Sequence, residues 1–342
     1  FCPFMVWGEI AQGIAKRLGW QPRSWPRGEH DDWASPLLAI GFALILLWEE
    51  LAHLENTAWL SSCLLLLITA GAVLGSLVFE KRFWCRYLCP IGGMNGLFAK
   101  LSILELRAHA GTCSGSCSTY ACFKGGPADG EGLATAGCPL GTHPAHLSDN
   151  RNCVLCLTCV QACPHRSVQL SLRPPAADLR LPLSVPRGEP LLILILFGGL
   201  VLHWGRPALE GLPMALQLLL ASIELALPAL VALGLRRWLG PELWQQGLYG
   251  LLPLLLGLLL ARHLPLGMGE AGQLLPVSLG AGWPGWSADP HVVAFCQSAA
   301  VLAGALSSWW LLRRLLSNEP NSLWVATGLS ASVGCLGRWL VS

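Results

Sequence analysis

Long apolar runs separated by short polar breaks dominate this chain. They predict transmembrane helices over about 36–52, 58–79, 189–204, 214–235, 243–261, 291–312 and 323–341. Each run is close to the ~20 residues that a helix needs to cross a bilayer. Trp204, Trp238, Trp244, Trp309, Trp310 and Trp339 fall near the ends of these runs, where the amphipathic indole sits at headgroup level. Residues 80–188 break the pattern. They open with a basic stretch to about residue 110 and close with a proline-rich return, 173–188, carrying Pro174, Pro175, Pro182 and Pro186.

Composition agrees with a membrane protein. Of 342 residues, 53% are hydrophobic and only 12% charged, against roughly 25% charged in an average soluble chain; the mean hydropathy is +0.52. Residues 1–35 and 80–188, which fall on one side if the spans alternate, hold 15 of the 22 Lys and Arg. Arg236, Arg237, Arg313 and Arg314 join them, so the positive-inside rule places that side in the cytoplasm. A net charge of +2 is too small to argue for nucleic acid. The chain opens on Phe1-Cys2-Pro3 rather than Met, and that opening reads as the back half of a motif that starts upstream.

Eight of the 14 cysteines crowd into residues 113–163. A disulfide framework belongs to small secreted domains, so this crowding points to metal ligation in a reducing compartment. Cys153, Cys156, Cys159 and Cys163, before Pro164, spell C-x2-C-x2-C-x3-C-P, the run that folds three thiolates around a [4Fe–4S] cluster and sends the fourth to a neighbouring one. A partner set lies just upstream: Cys113, Cys117, Cys122 and then Cys138 before Pro139. The pairing rule puts Cys113, Cys117, Cys122 and Cys163 on one cluster, and Cys138, Cys153, Cys156 and Cys159 on the other. Structural zinc is the competing reading, but zinc sites usually pair two C-x2-C knuckles. His143, His146 and His165 are nearby; a histidine in a polar loop is more often a surface residue than a ligand, and the three are left unassigned.

A second thiol motif, Cys85-Arg86-Tyr87-Leu88-Cys89-Pro90, follows the second span. If that span continues as a helix, an i, i+4 spacing turns both thiols to one face, and Pro90 tends to end the helix at Cys89. Cys2-Pro3 looks like the end of an earlier copy. Together Cys2, Cys85 and Cys89 are candidates for a third metal or redox site, with buried structural thiols as the alternative. Cys63, Cys296 and Cys335 sit singly inside predicted spans and read as packing residues.

Ionisable residues inside lipid are costly and therefore functional candidates. Glu224, deep in the fourth run, is the sharpest, as a proton or quinone residue. Glu49, Glu50, His53 and Glu55 sit at a span boundary, where a solvated turn explains them. The long outer loop at about 263–290 reads as a connection. No nucleophile with its base is evident, so enzyme activity is left open beyond a quinone oxidoreductase component.

The string Trp84-Cys85-Arg86-Tyr87-Leu88-Cys89-Pro90-Ile91-Gly92, after a transmembrane helix and before a two-cluster module, resembles the membrane polyferredoxin family of NapH-, NosR- and CcoG-like electron-transfer proteins. The resemblance covers about residues 1–172 and extends to FesM-like membrane iron–sulfur proteins. It implies electron transfer between the quinone pool and a redox partner, in respiratory or photosynthetic cyclic flow, with the clusters in the cytoplasm. The irregular first cysteine set and the five later spans depart from that pattern. So does the missing C-terminal β domain of CcoG-like proteins, which weakens a copper-reductase role.

The expected fold is therefore an all-α polytopic membrane protein of about seven helices with an inserted small α+β bis-[4Fe–4S] ferredoxin-like domain. Residues 1–110 form a transmembrane hairpin with its C-x3-C-P thiols, 111–172 the cluster domain, 173–188 a linker and 189–342 a five-helix domain. The expected setting is a bacterial inner or internal membrane. Membrane lipid, quinone and a redox partner protein are the expected partners. The function expected is an electron relay between a cytoplasmic-side donor and the quinone pool. A metal (copper) reductase or oxidase-assembly factor, and a transporter or scaffold with a cluster-based sensor, are the alternatives.

Overall fold

Helices fill the chain because apolar side chains recur over lengths that only a helix can carry through lipid with its backbone satisfied. The computed structural model describes residues 3–24, 29–126, 133–180, 188–280 and 282–316, with Gly328 and Ala331. Among the described residues, six helical stretches are long and apolar enough to cross a membrane, spanning Ala34–Leu51, Ala58–Val78, Gly188–Leu209, Met214–Leu239, Pro241–Leu279 and Pro290–Leu315. The seventh expected span, 323–341, lies outside the described residues. The chain divides into two compact units, Phe1–Leu192 and Ile193–Ser342.

In the first unit, α1 (Pro3–Arg17) leads to the hairpin of α2 (Glu29–Leu51) and α3 (Ala58–Val78). The opening segment, expected to be merely polar, is helical because α3 gives it a track. Gly8 lies where a Cβ would come within 2.5 Å of Ser76 Oγ. Gln12 Nε2 donates to Ser76 O at 2.8 Å and Phe79 O at 3.1 Å, and Trp20 Nε1 to Leu77 O at 2.7 Å. A helix end leaves its last carbonyls without intrahelical donors. Here α1 and the turn after it supply them.

The second span does not continue through the thiol motif as the spacing suggested. Phe79 is extended (φ −118°, ψ 147°), Lys81 adopts φ 61°, and the chain reverses into α4 (Phe83–Tyr87). The reversal is set by packing: a Cβ on Gly71 would sit 2.3 Å from the Trp84 ring, and one on Gly75 would meet Trp84 Cβ at 3.5 Å. So α4 folds back along the last two turns of α3. Pro90 then starts α5 (Pro90–Phe98) instead of ending a helix, as a residue that needs no N–H at the first helical position does.

The cysteine-rich segment is closed by β1 (Leu104–Ala108) and β2 (Val168–Leu172), antiparallel with Leu104 opposite Leu172 and Ala108 opposite Val168. Between them lie α6 (Ala110–Gly115), α7 (Ala121–Lys124) and α8 (Thr158–Ala162). Leu106, Ala162 and Val168 are buried beneath the ribbon. At its base Asp178, 1% exposed, takes Arg173 Nη2 at 2.7 Å, Arg107 Nη2 at 3.2 Å and the Asn150 amide at 2.9 Å. Burial opposes the charge of Arg173, but the hydrogen bond and charge of Asp178, with Glu105 behind it, outweigh burial and raise its pKa. The start of the expected linker is thus an anchored turn, Ala177–Arg180. Residues 181–187 lie outside the described residues.

A second buried ion network ties this module to the spans. Lys100, fully buried, meets Glu189 at 2.6 Å and Asp149 at 3.7 Å, and Arg151 Nε meets Glu189 at 3.1 Å. Glu189 lies in the first turn of α9 (Gly188–Leu209), whose Gly188 presses on the Ser35 backbone.

The second unit holds the rest of α9, then α10 (Met214–Leu239), α11 (Pro241–Gly250), α12 (Leu252–Glu270), α13 (Leu274–Leu279) and α14 (Pro290–Leu315). Small residues let α12 and α14 approach closely. A Cβ on Gly257 would be 2.6 Å from Ala300 O, and one on Gly304 2.8 Å from Pro253 O. The expected outer connection at 263–290 is in good part helical, since α12 runs on to Glu270 and α13 follows. Arg314 stacks over Trp310 at 4.2 Å and Arg236 over Trp244 at 5.4 Å, the arrangement of cation and indole at an interface.

Candidate iron–sulfur centres

Short elements and strained turns aim the thiols of the module. Cys113 sits in α6, Cys122 in α7, and Cys163 caps the end of α8. In the run 153–159, Leu155 (φ 48°) and Leu157 (φ 60°) take the left-handed conformation, costly for a branched side chain, and so curl the backbone. Gly137 (φ 76°), where a Cβ would lie 2.5 Å from Phe123 O, delivers Cys138 from the other side.

The structure brings these thiols together as two groups. Cys113, Cys117, Cys122 and Cys163 line one hollow. Burial, then the charges of Cys163, Cys117 and Cys113, push the Cys122 thiol up to about 11. In the second group, burial and the neighbouring Cys153, Cys156 and Cys138 push Cys159 up to about 12. Burial likewise raises Cys153, with Cys156 and Cys138 adding to it and the Leu155 amide and Arg107 opposing. Cys122 also acts on Cys159, so the two groups adjoin.

Thiols that resist ionisation among other thiols, as Cys122, Cys153 and Cys159 do, suit a cationic core, which would reverse that penalty. Among the described residues no three His, Cys, Asp or Glu side chains come close enough to share a single metal ion. Tetrahedral zinc needs sulfurs only about 3.8 Å apart, whereas a four-iron cube holds its thiolates more widely. Thiols in groups of four are the donors that an iron–sulfur cluster takes, and such a cluster would supply one-electron chemistry when bound.

The surrounding donors extend the site. Thr142 N donates to Cys138 Sγ at 3.4 Å and Thr158 Oγ1 to Cys156 Sγ at 3.3 Å. His143 Nε2 is 3.9 Å from Cys122 Sγ, while its Nδ1 takes the Ala145 amide at 3.2 Å. Burial and His146 keep the His143 pKa low. A sequence reading that left His143 unassigned had no local signal for this contact.

Cys89, 8% exposed, caps α5, with Gly92 N donating to its Sγ at 3.4 Å. A Cβ on Gly92 would lie 2.4 Å from Cys85 O, so the Gly after Cys-Pro is what lets the two halves of this hairpin close. Cys85 and Cys89 do not share the face of one helix. Cys2 and Cys335 lie outside the described residues; Cys63 is exposed on α3 and Cys296 is half-buried in α14. Glu224 sits against α9, its Oε2 2.4 Å from where a Cβ on Gly205 would be. Glu50, expected in a solvated turn, is 2% exposed.

A helical membrane protein carrying a cluster-type thiol module is thus on hand. Residues 63–106 match the 4Fe-4S binding domain family, a segment that holds Cys85 and Cys89 and stops short of the eight-cysteine module. Over 115 residues the chain is 32% identical to YccM of Escherichia coli, whose name marks it as a candidate electron transport protein, covering 33% of this chain and 28% of YccM. Over 171 residues it is 29% identical to protein NirI of Paracoccus denitrificans, covering 46% of this chain and 23% of NirI. The aligned part thus spans about a quarter of these relatives' length. No solved structure matches the chain. Over part of its length, then, the chain is similar to polyferredoxin-like, iron–sulfur electron-transport proteins of membranes.

Proposed function

We propose that the protein is a fixed electron relay in the membrane. In this reading Cys113, Cys117, Cys122 and Cys163 hold one [4Fe–4S] cluster, and Cys138, Cys153, Cys156 and Cys159 hold the other. Electrons pass between a donor protein on the cytoplasmic side and the quinone pool. The observation that supports it is the grouping of the thiols: Cys163 lines the hollow of Cys113, Cys117 and Cys122, and Cys138 lies near Cys159, as the interlock of a two-cluster ferredoxin would require. The chain's part is to position and tune the clusters through ligation, burial and hydrogen bonds to sulfur.

The bias of Lys and Arg supports the cytoplasmic placement, and the name of YccM supports electron transport. In this reading Glu224, which lies against Gly205 of α9, carries a proton within the spans. Cys85 and Cys89, with Cys2, are the candidates for a third centre, and the family match over residues 63–106 supports the first two. The same thiols support a metal-reductase reading, in which replacing Cys85 and Cys89 abolishes metal turnover while both clusters survive.

The test is iron and sulfide counting with an EPR-monitored redox titration on the full-length protein. About eight iron per chain supports two four-iron clusters and about twelve adds a third. Zinc without iron would sink the reading.

A further inference from the structure

A cavity of about 300 Å³ opens where the spans meet the cysteine module, walled by Phe83, Tyr87 and Phe123, with Lys81, Arg82 and Arg86 offering donors. Its position is held by two ties. Arg82 N donates to Pro139 O at 2.9 Å. Arg86 Nη1 donates to Leu140 O at 2.7 Å and Thr142 Oγ1 at 3.3 Å. Both ties land on the strip that follows Cys138, and Phe123 follows Cys122. The wall is therefore one or two residues in sequence from a thiol of each cluster group and from Cys85.

We propose that this cavity binds a quinone head group and is where the relay exchanges electrons with the lipid phase. The inference rests on the two-cluster reading and adds to it a place for the quinone. Small-molecule sites are concave, largely apolar and aromatic, with a few convergent polar groups, and range from about 300 to 1,000 Å³. Aromatic walls suit a flat ring, and cationic N–H donors suit its carbonyls. An anionic phospholipid is the rival occupant. Glu80 lines the cavity and Glu9 pairs with Arg82 at 2.7 Å, so two carboxylates offset three cations. That near-neutral balance disfavours a phosphate, and the nearby thiols have no bearing on lipid. Glu80 and Lys81 follow α3 almost directly, which leaves the isoprenoid tail a route to lipid.

The redox balance closes on groups named above. A bound quinone gains two electrons, one from each of two reduced clusters that return to the oxidised state, and two protons from solvent. It then leaves as the quinol. The donor protein re-reduces the clusters one electron at a time. Running the balance backwards describes flow from quinol to the partner.

The experiment uses full-length protein in nanodiscs, first counted for iron and checked by EPR for both clusters. An azidoquinone is photolysed against it with decylubiquinone or a phosphatidylglycerol-rich lipid as competitor. The reoxidation of dithionite-reduced clusters by decylubiquinone is timed in wild type, Lys81→Ala and Tyr87→Ala. Label on the peptides containing Lys81–Tyr87 or Phe123, competed by decylubiquinone and not by lipid, supports the site. So does at least a tenfold rise in half-saturating quinone in either variant that keeps both EPR signals. Label confined to the peptide around Glu224, competition by anionic lipid, or unchanged half-saturation in both variants overturns it. A preparation with zinc and no iron overturns the two-cluster reading itself, and the iron count separates that failure from this one.

Discussion

His143 Nε2 stands 3.9 Å from Cys122 Sγ, and its tautomer is set from the other side of the ring. Because Nδ1 accepts the Ala145 amide, Nε2 carries the proton and points it at sulfur. A hydrogen bond to a ligand sulfur favours the more negative, reduced cluster and raises its potential. His143→Leu is expected to lower the potential of one cluster and leave the other in place. A tenfold change in the reduction equilibrium reads as about 59 mV for one electron. Redox titration followed by EPR checks it, and equal movement of both clusters would point to a general structural effect.

Lys100 and Glu189 pair at 2.6 Å with side chains 0% and 4% exposed. Removing one partner of a buried pair strands the other charge at a cost of about 3–5 kcal/mol. Lys100→Met should therefore lower stability by roughly that amount, softened by Arg151, which also reaches Glu189. The double variant Lys100→Met/Glu189→Leu should recover much of the loss. Thermal unfolding in detergent measures both, and an unchanged single variant would refute the argument.

The spans were legible because a run of apolar residues needs no partner to declare itself, and six of the seven expected positions carry helices. The spacing of the eight cysteines was legible as a ligand pattern, and Cys113, Cys117, Cys122 and Cys163 line one hollow. Long-range packing was not legible. Nothing local in Phe79–Phe83 announces a reversal; the Trp84 ring on Gly71 causes it. The expected i, i+4 thiol face failed for that reason, since Cys89 lies beyond the end of α4 and caps α5. Lys100 and Glu189 are 89 residues apart, and neither advertises the other. Gln12 read as one polar residue in a polar segment, yet its amide closes the end of α3.

Removing iron should leave a protein that weakens in alkali. The Cys122 and Cys159 thiols are raised to about 11 and about 12 from an ordinary value near 9. Between those values the folded chain holds protons that the unfolded chain has released. Stability from these groups is thus fully present below about pH 9 and lost as pH climbs toward 12. The chelated protein is expected to melt lower at pH 10.5 than at pH 8, and at pH 8 to alkylate Cys122 and Cys159 more slowly than the exposed Cys156. Equal rates at all three thiols would show that burial does not hold them protonated.

The interlock makes a prediction that a simple count of cysteines does not. If Cys163 serves the group of Cys113, then Cys113→Ala and Cys163→Ala damage the same cluster, and the double variant should keep about four iron. Cys153→Ala and Cys163→Ala then strike different clusters, so that pair should lose nearly all iron. Were each run self-contained, with Cys163 serving Cys153, the outcomes would exchange: the first pair would empty both sites and the second would spare one. Both double variants remove two thiols, so a general loss of folding affects them alike and only the pairing separates them. Iron per chain, read beside the EPR signal of the surviving cluster, decides between the two arrangements.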